Sequence, residues 1–354
     1  MMGYIQAQPA VWQHILEEAG TLAEVFAAKW QAGGLKNILL VGSGSSYNAG
    51  CVVQQAYADW TGIRLHTLPP SRAMAQVVLY DPKDTAVLFV SQSGESTNTI
   101  GIVEAVKSLG FYTVGLTEKV GSSIARTCDL FVHIDCGEET VGPKTKGFTA
   151  TVLCLELLAL GLGRAQGTVT QEREAQALDA LRQAASAAER NIAASVAWTQ
   201  AHASSMEVAP HMLIVAEGPH YPAMLEGALK VLETLYVPVM AYEFEEYLHG
   251  IQCTIDASSY IIFVIPEGQN RERMLKLYDF HAAHGGTGYV ISTGEPTGLA
   301  GELFIECTGE DHTAAFETLL PLQVVSTMVS QAKGINCDVS KFPDFIKALG
   351  TKNW

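Results

Sequence analysis

The chain has 354 residues, 48% of them hydrophobic and 17% charged, with a formal net charge of −15. That composition excludes a disordered chain and supports sizeable cores, with length enough for two domains. The acidic balance argues against nucleic acid or an anionic membrane surface as a partner, but not against a phosphorylated small molecule, whose site depends on local N–H and hydroxyl donors.

Residues 8–32 carry a broad apolar helical face through Trp12, Ile15, Leu16, Leu22, Val25, Phe26 and Trp30, which Gly33-Gly34 ends. Asn37–Val41 is a short apolar strand. It runs into Gly42-Ser43-Gly44-Ser45-Ser46 and a helix starting near Tyr47. Arg64–Leu68 is a weaker strand. Ala86–Val90 is continuously apolar, the pattern of a strand buried on both faces. Then comes Ser91-Gln92-Ser93-Gly94-Glu95-Ser96-Thr97, a turn rich in hydroxyls that opens an apolar-periodic helix. Strands follow at Thr113–Thr117 and Leu130–Ile134. Strands alternating with helical patterns predict βαβ units and a parallel sheet.

The second half repeats the first, with strands at Met212–Val215, Tyr260–Ile265, Gly288–Thr293 and Leu303–Cys307. Val41 and Val215 stand 174 residues apart, as do Val90 and Val264; Val114 to Val290 is 176 and Leu130 to Leu303 is 173. Four strands in near-constant register predict a duplication. The reading divides the chain into an N-terminal helix at 1–34, a first α/β domain at 35–166, a helical connection at 167–205 and a second α/β domain with a tail at 206–354.

The hydroxyl-rich turns suit a phosphate, because a helix N-terminus offers unpaired N–H groups and a positive dipole end. A plain capped helix has the same composition at its start. In the second copy Glu217, Pro219 and Glu267 replace the hydroxyls, so one phosphate site, in the first domain, is expected. The second copy instead has Glu226, Lys230 and Glu233 on one helical face with small apolar flanks. A surface salt-bridge ladder gives that pattern too, but a buried helix with three ionisable groups needs partners or a function. His249 follows the acidic stretch Glu243–Glu246. The seven cysteines are scattered with no Cys-x-x-Cys pair, which predicts free thiols in a reducing compartment. With no signal segment and no apolar run of transmembrane length, the reading expects a cytoplasmic protein.

Together, Gly44-Ser45-Ser46-Tyr47-Asn48, Ser91-Gln92-Ser93-Gly94-Glu95-Ser96, Thr145-Lys146-Gly147-Phe148-Thr149, Leu225-Glu226-Gly227-Ala228-Leu229-Lys230 and Glu246-Tyr247-Leu248-His249-Gly250 resemble sugar isomerase (SIS) domains. Their order is similar to the tandem-SIS isomerase part of glucosamine-6-phosphate synthase and to fructosamine-6-phosphate deglycases, over about residues 35–345. The resemblance implies an α/β fold of two tandem SIS domains, each a mainly parallel five-stranded sheet flanked by helices in a flavodoxin-like sandwich. Ser46, Ser91, Gln92, Ser93 and Ser96 would bind a sugar phosphate, with Ser45 and Gly44 beside them. Glu233 would move a proton between C1 and C2, and His249, supplied by a neighbouring subunit, would open the sugar ring. Glu226 and Lys230 would support that chemistry. No metal and no cofactor is implied, and a homodimer or higher oligomer with its site at the subunit interface is.

The chain departs from that pattern in three places. It has no amidotransferase domain and no N-terminal cysteine nucleophile, so glutamine-driven amination is not expected from it alone. Lys144 stands where the synthase has a small hydroxyl residue, and Lys347 only roughly matches the synthase's tail lysine. The expected activity is proton transfer on a 6-phosphorylated amino sugar or sugar–amino acid conjugate with loss of the amine. An aldose–ketose phosphosugar isomerase, a synthase-like subunit and a non-catalytic phosphosugar sensor are the alternatives.

Overall fold

Ten strands form two separate five-stranded sheets in a computed structural model that describes residues 1–18, 24, 26–30 and 34–352. Within both sheets every strand pairing among the described residues is parallel. The chain divides into two compact units. One comprises Ala10–Thr140, Lys146–Arg182 and Ser340–Trp354; the other comprises Met1–Pro9, Val141–Thr145 and Gln183–Val339.

The first sheet has β1 (Asn37–Val41), β2 (Leu65–Leu68), β3 (Thr85–Val90), β4 (Tyr112–Thr117) and β5 (Leu130–His133) in the order β2-β1-β3-β4-β5. β3 is the central strand of this sheet and is buried along its whole length, as its unbroken apolar run predicts. Leu39, Val41, Val87 and Phe89 pack with Val103, Val106 and Phe111 in one core. Each such side chain contributes about 1.5–3 kcal/mol by leaving water. Of the predicted N-terminal helical face, Trp12, Ile15, Leu16, Phe26 and Trp30 are buried, while Leu22, Val25 and Gly33 lie outside the described residues.

The second sheet has β6 (Met212–Ala216), β7 (Val239–Glu243), β8 (Tyr260–Ile265), β9 (Thr287–Ser292) and β10 (Leu303–Phe304), ordered β10-β9-β8-β6-β7. Read from the other edge, this is the topology of the first sheet. The predicted α/β fold of two tandem parallel sheets is therefore borne out. β7 is an addition to the predicted strands. It is an edge strand: its four apolar residues, Val239–Tyr242, directly follow Pro238, and only the first of them is buried. β10 is shorter than predicted.

All seven cysteines are free. Among the described residues one helix, Lys146–Gln166, has the length and apolarity to cross a membrane, although the sequence pattern, interrupted by Glu156, suggests no run of that length. Of its apolar window, 89% is buried inside the protein, as the core helix of a globular unit requires.

Glu156 on that helix and Tyr57 on the helix Gln54–Thr61 are buried, and neither side chain has a hydrogen-bond partner among the described residues. Burial alone pushes the Glu156 carboxyl well above its ordinary value of 4.5. A carboxyl raised in the folded state binds a proton that the unfolded chain releases. Stability must then fall as pH rises above the ordinary value, by up to about 1.4 kcal/mol per pH unit. Glu156→Gln should abolish that slope, so its advantage over wild type grows as pH rises above the ordinary value, by up to about 1.4 kcal/mol per pH unit. Urea unfolding at several pH values measures it, and parallel curves for the two proteins would contradict it.

Candidate active site

In a sheet ordered 2-1-3-4-5 the chain leaves β1 and β3 in opposite directions, and ligands bind in the crevice at the carboxyl ends of those two strands. Both hydroxyl-rich turns sit there. After β1, Gly44 (φ 55°) precedes the helix Ser45–Val52, with Ser45 and Ser46 half-buried at its start. After β3, Ser96 precedes the helix Thr97–Ser108 and makes no side-chain capping bond. Its hydroxyl instead lies 3.3 Å from that of Ser91. Ser91 also accepts from the Gly94 N–H at 3.2 Å, and Ser93 from the Glu95 N–H at 3.4 Å. The structure thus brings Ser91, Ser93 and Ser96 into one turn, as the sequence predicts.

Gln92 is held from behind. Its amide nitrogen is 3.5 Å from Glu139 Oε2, and Glu139 also accepts from the Gly147 N–H at 3.1 Å. A Cβ at Gly147 would fall 2.0 Å from that amide nitrogen, so only glycine leaves room for it. Glu139, which supports Gln92, is a residue that sequence reasoning missed.

The tail brings another. The Gly350 carbonyl accepts from the Thr97 hydroxyl at 2.9 Å, the Thr351 carbonyl accepts from the Thr97 N–H at 3.3 Å, and Lys352 bridges antiparallel to Ser96. Lys352 is therefore the tail lysine beside the turn, whereas Lys347 is exposed. No local pattern signals a contact between residues 253 apart in the chain. Lys144 is half-buried in the segment Val141–Thr145.

In the other unit, Glu226, Lys230 and Glu233 lie on the helix His220–Leu235. Lys230 Nζ is 3.2 Å from Glu226 Oε1 and 2.7 Å from Glu233 Oε2. The side chains of Glu226 and Lys230 are 0% and 1% exposed, and that of Glu233 is 34% exposed. This is no surface ladder. Two charges are fully buried and one carboxylate reaches solvent. Burial opposes the Lys230 charge, but the two carboxylates outweigh it and hold the ammonium above its ordinary value. Gly227 packs this helix onto Leu320–Ala332, where a Cβ would come within 3.0 Å of Leu322.

His249 is exposed in the turn after Phe244–Tyr247, its N–H donating to the Glu246 carbonyl at 3.1 Å. No hydrogen bond joins it to Glu233 among the described residues. At the second crevice Glu217 accepts from the Asn270 amide at 2.7 Å, so a carboxylate occupies the position where the first unit has hydroxyls.

Two duplicated parallel sheets, one with a hydroxyl-lined turn at its switch point, define a tandem α/β protein of the doubly wound class. Residues 35–161 match the family model described as SIS domain. Glutamine–fructose-6-phosphate aminotransferase (isomerizing) of Pseudomonas aeruginosa is 30% identical over 361 residues, covering 96% of this chain and 57% of that protein. The chain thus spans a little over half the length of that relative. Among solved structures, a candidate phosphosugar isomerase of Clostridium difficile 630 superposes with a TM-score of 0.89 at 26% identity, covering 99% of this chain and 98% of the other. The C-terminal domain of glucosamine-fructose-6-phosphate aminotransferase from Francisella tularensis superposes with a TM-score of 0.85 at 22% identity, covering 96% and 97%. The latter likeness is one of fold. The sequence resemblance to tandem SIS proteins is borne out.

Proposed function

We propose that this chain is a cytoplasmic phosphosugar enzyme acting on a 6-phosphorylated amino sugar or sugar–amino acid conjugate, moving a proton between C1 and C2 with loss of the amine. The observation that carries this reading is Glu233, a carboxylate that reaches solvent from a buried helix while a buried lysine, 2.7 Å away, fixes its orientation. Proton transfer beside a carbonyl needs one such base held in place. A binding protein without chemistry has no use for it.

In this reading Ser45, Ser46, Ser91, Ser93 and Ser96, with Gln92, hold the phosphate. Glu226 and Lys230 hold Glu233. His249 opens the sugar ring for a neighbouring copy of the chain, which makes the active form a homodimer or larger. Its exposure, without a bond to Glu233, supports that assignment. A plain aldose–ketose isomerase is the second reading, favoured by the likeness to the Clostridium difficile protein.

The test is incubation of the pure protein with 6-phosphorylated fructosamines, amino sugars, aldoses and ketoses, following glucose 6-phosphate, fructose 6-phosphate and free amine. Amine release supports the first reading. Interconversion of aldose and ketose phosphates without amine release supports the second. Binding with no turnover of any substrate would sink both.

A further inference from the structure

Glu95 is the one acidic side chain in the turn Ser91–Thr97, and phosphate binding gives it no task. A carboxylate aimed at a bound phosphate would repel it. The structure aims it elsewhere. Glu95 Oε1 accepts from the Ser123 N–H at 3.0 Å, and Oε2 accepts from the Ser123 hydroxyl at 2.7 Å. Beside these bonds the Ile124 N–H donates to the Gly94 carbonyl at 3.1 Å. Gly94 has φ 65°, and a Cβ there would fall 2.0 Å from Ser122 Oγ. The two segments touch backbone to backbone. Burial works against the Glu95 charge, but the Ser123 bonds, with Lys119 and Arg126 nearby, outweigh it and hold the carboxyl below its ordinary value. It is therefore ionised and clasped.

The other side of the same backbone carries the hydroxyls. Ser91 Oγ accepts from the Gly94 N–H, and Ser93 Oγ accepts from that of Glu95. Whatever fixes residues 94 and 95 fixes these hydroxyls. We infer that Glu95 is the positioning residue of this turn: clasped to Ser123, it holds the backbone that carries Ser91, Ser93 and Ser96 in its phosphate-binding shape. The inference rests on the phosphate reading of the turn proposed above.

The sign of one effect separates a clasp from a mere neighbouring charge. Glu95→Gln removes a negative charge close to an anion, so a neighbouring charge alone predicts tighter binding. A clasp predicts weaker binding, because glutamine accepts at one oxygen only and turns an NH2 toward the Ser123 donors. Isothermal titration with glucose 6-phosphate, fructose 6-phosphate and inorganic phosphate measures this on wild type, Glu95→Gln, Glu95→Ala, Ser123→Ala and Ser93→Ala.

Affinity should fall about tenfold in Glu95→Ala and Ser93→Ala, the loss of one or two charge-assisted hydrogen bonds, and less in Glu95→Gln and Ser123→Ala. The double variant Glu95→Ala/Ser123→Ala should bind as Glu95→Ala does, since both changes break one contact. Where a substrate turns over, KM should rise while kcat holds. Should Glu95→Ala fail to fold, Glu95→Gln and Ser123→Ala carry the test. If Ser93→Ala binds like wild type, or wild type binds no phosphate compound, the phosphate reading falls and takes the inference with it. If Ser93→Ala weakens binding while Glu95→Gln binds as well as wild type or better, the inference alone is overturned.

Discussion

Glu233→Gln should lower turnover about a hundredfold or more, the usual cost of losing a general base. Phosphosugar affinity should stay within about a factor of three, because only an interaction made in the transition state is lost. Glutamine keeps the size of the side chain and can still accept a hydrogen bond from Lys230, which lies 2.7 Å from the carboxylate it replaces. With a side chain 34% exposed, Glu233 leaves no closed cavity or stranded charge behind. Loss of rate would therefore report chemistry, not unfolding. The decisive reading is exchange of the substrate's C1 or C2 hydrogen with deuterated solvent, followed by NMR. Wild type should exchange it and the variant should not. Wild-type exchange in Glu233→Gln would place the base elsewhere.

The largest effect on stability is expected from Lys230→Met. Methionine fills a similar volume but leaves Glu226, fully buried, without the cation 3.2 Å from it. Removing one partner of a buried pair costs about 3–5 kcal/mol, most of it the burden of the uncompensated charge. Glu226→Gln in the same chain removes that charge, so the double variant should recover most of the loss. Urea unfolding measures both. A single variant within about 1 kcal/mol of wild type would mean that the helix tolerates a lone carboxylate, against the ordinary cost of such burial.

The sheet strands were legible wherever burial on both faces enforced an apolar run, as at Thr85–Val90 and Tyr260–Ile265. β7 was not, because its apolar run, Val239–Tyr242, is short, follows Pro238 and has only its first residue buried. The repeat nevertheless pointed to it. Leu65, which opens β2, and Val239, which opens β7, stand 174 residues apart, within one residue of the 175 that separates the openings of β1 and β6 and of β3 and β8. The site was legible as residue types on local elements: hydroxyls at a helix start, three charges on one helical face. What each side chain touches was not. The Glu95 bond to Ser123 and the Gln92 contact with Glu139 join residues 28 and 47 apart, and nothing in either segment alone announces them. The docking of Gly350–Lys352 on the turn is longer in range still.

The close approach of Gly227 to Leu322 bears on how the second unit is made. The helix that carries Glu226, Lys230 and Glu233 is covered on that side by Leu320–Ala332, a segment synthesised almost a hundred residues later. At about 5–20 residues per second, a ribosome takes on the order of 5–20 s to supply it. Throughout that interval the nascent helix has no cover over the side that carries Gly227. Completion of this unit is thus set late in synthesis, and a nascent chain stalled near residue 310 would present an open, sticky surface to chaperones.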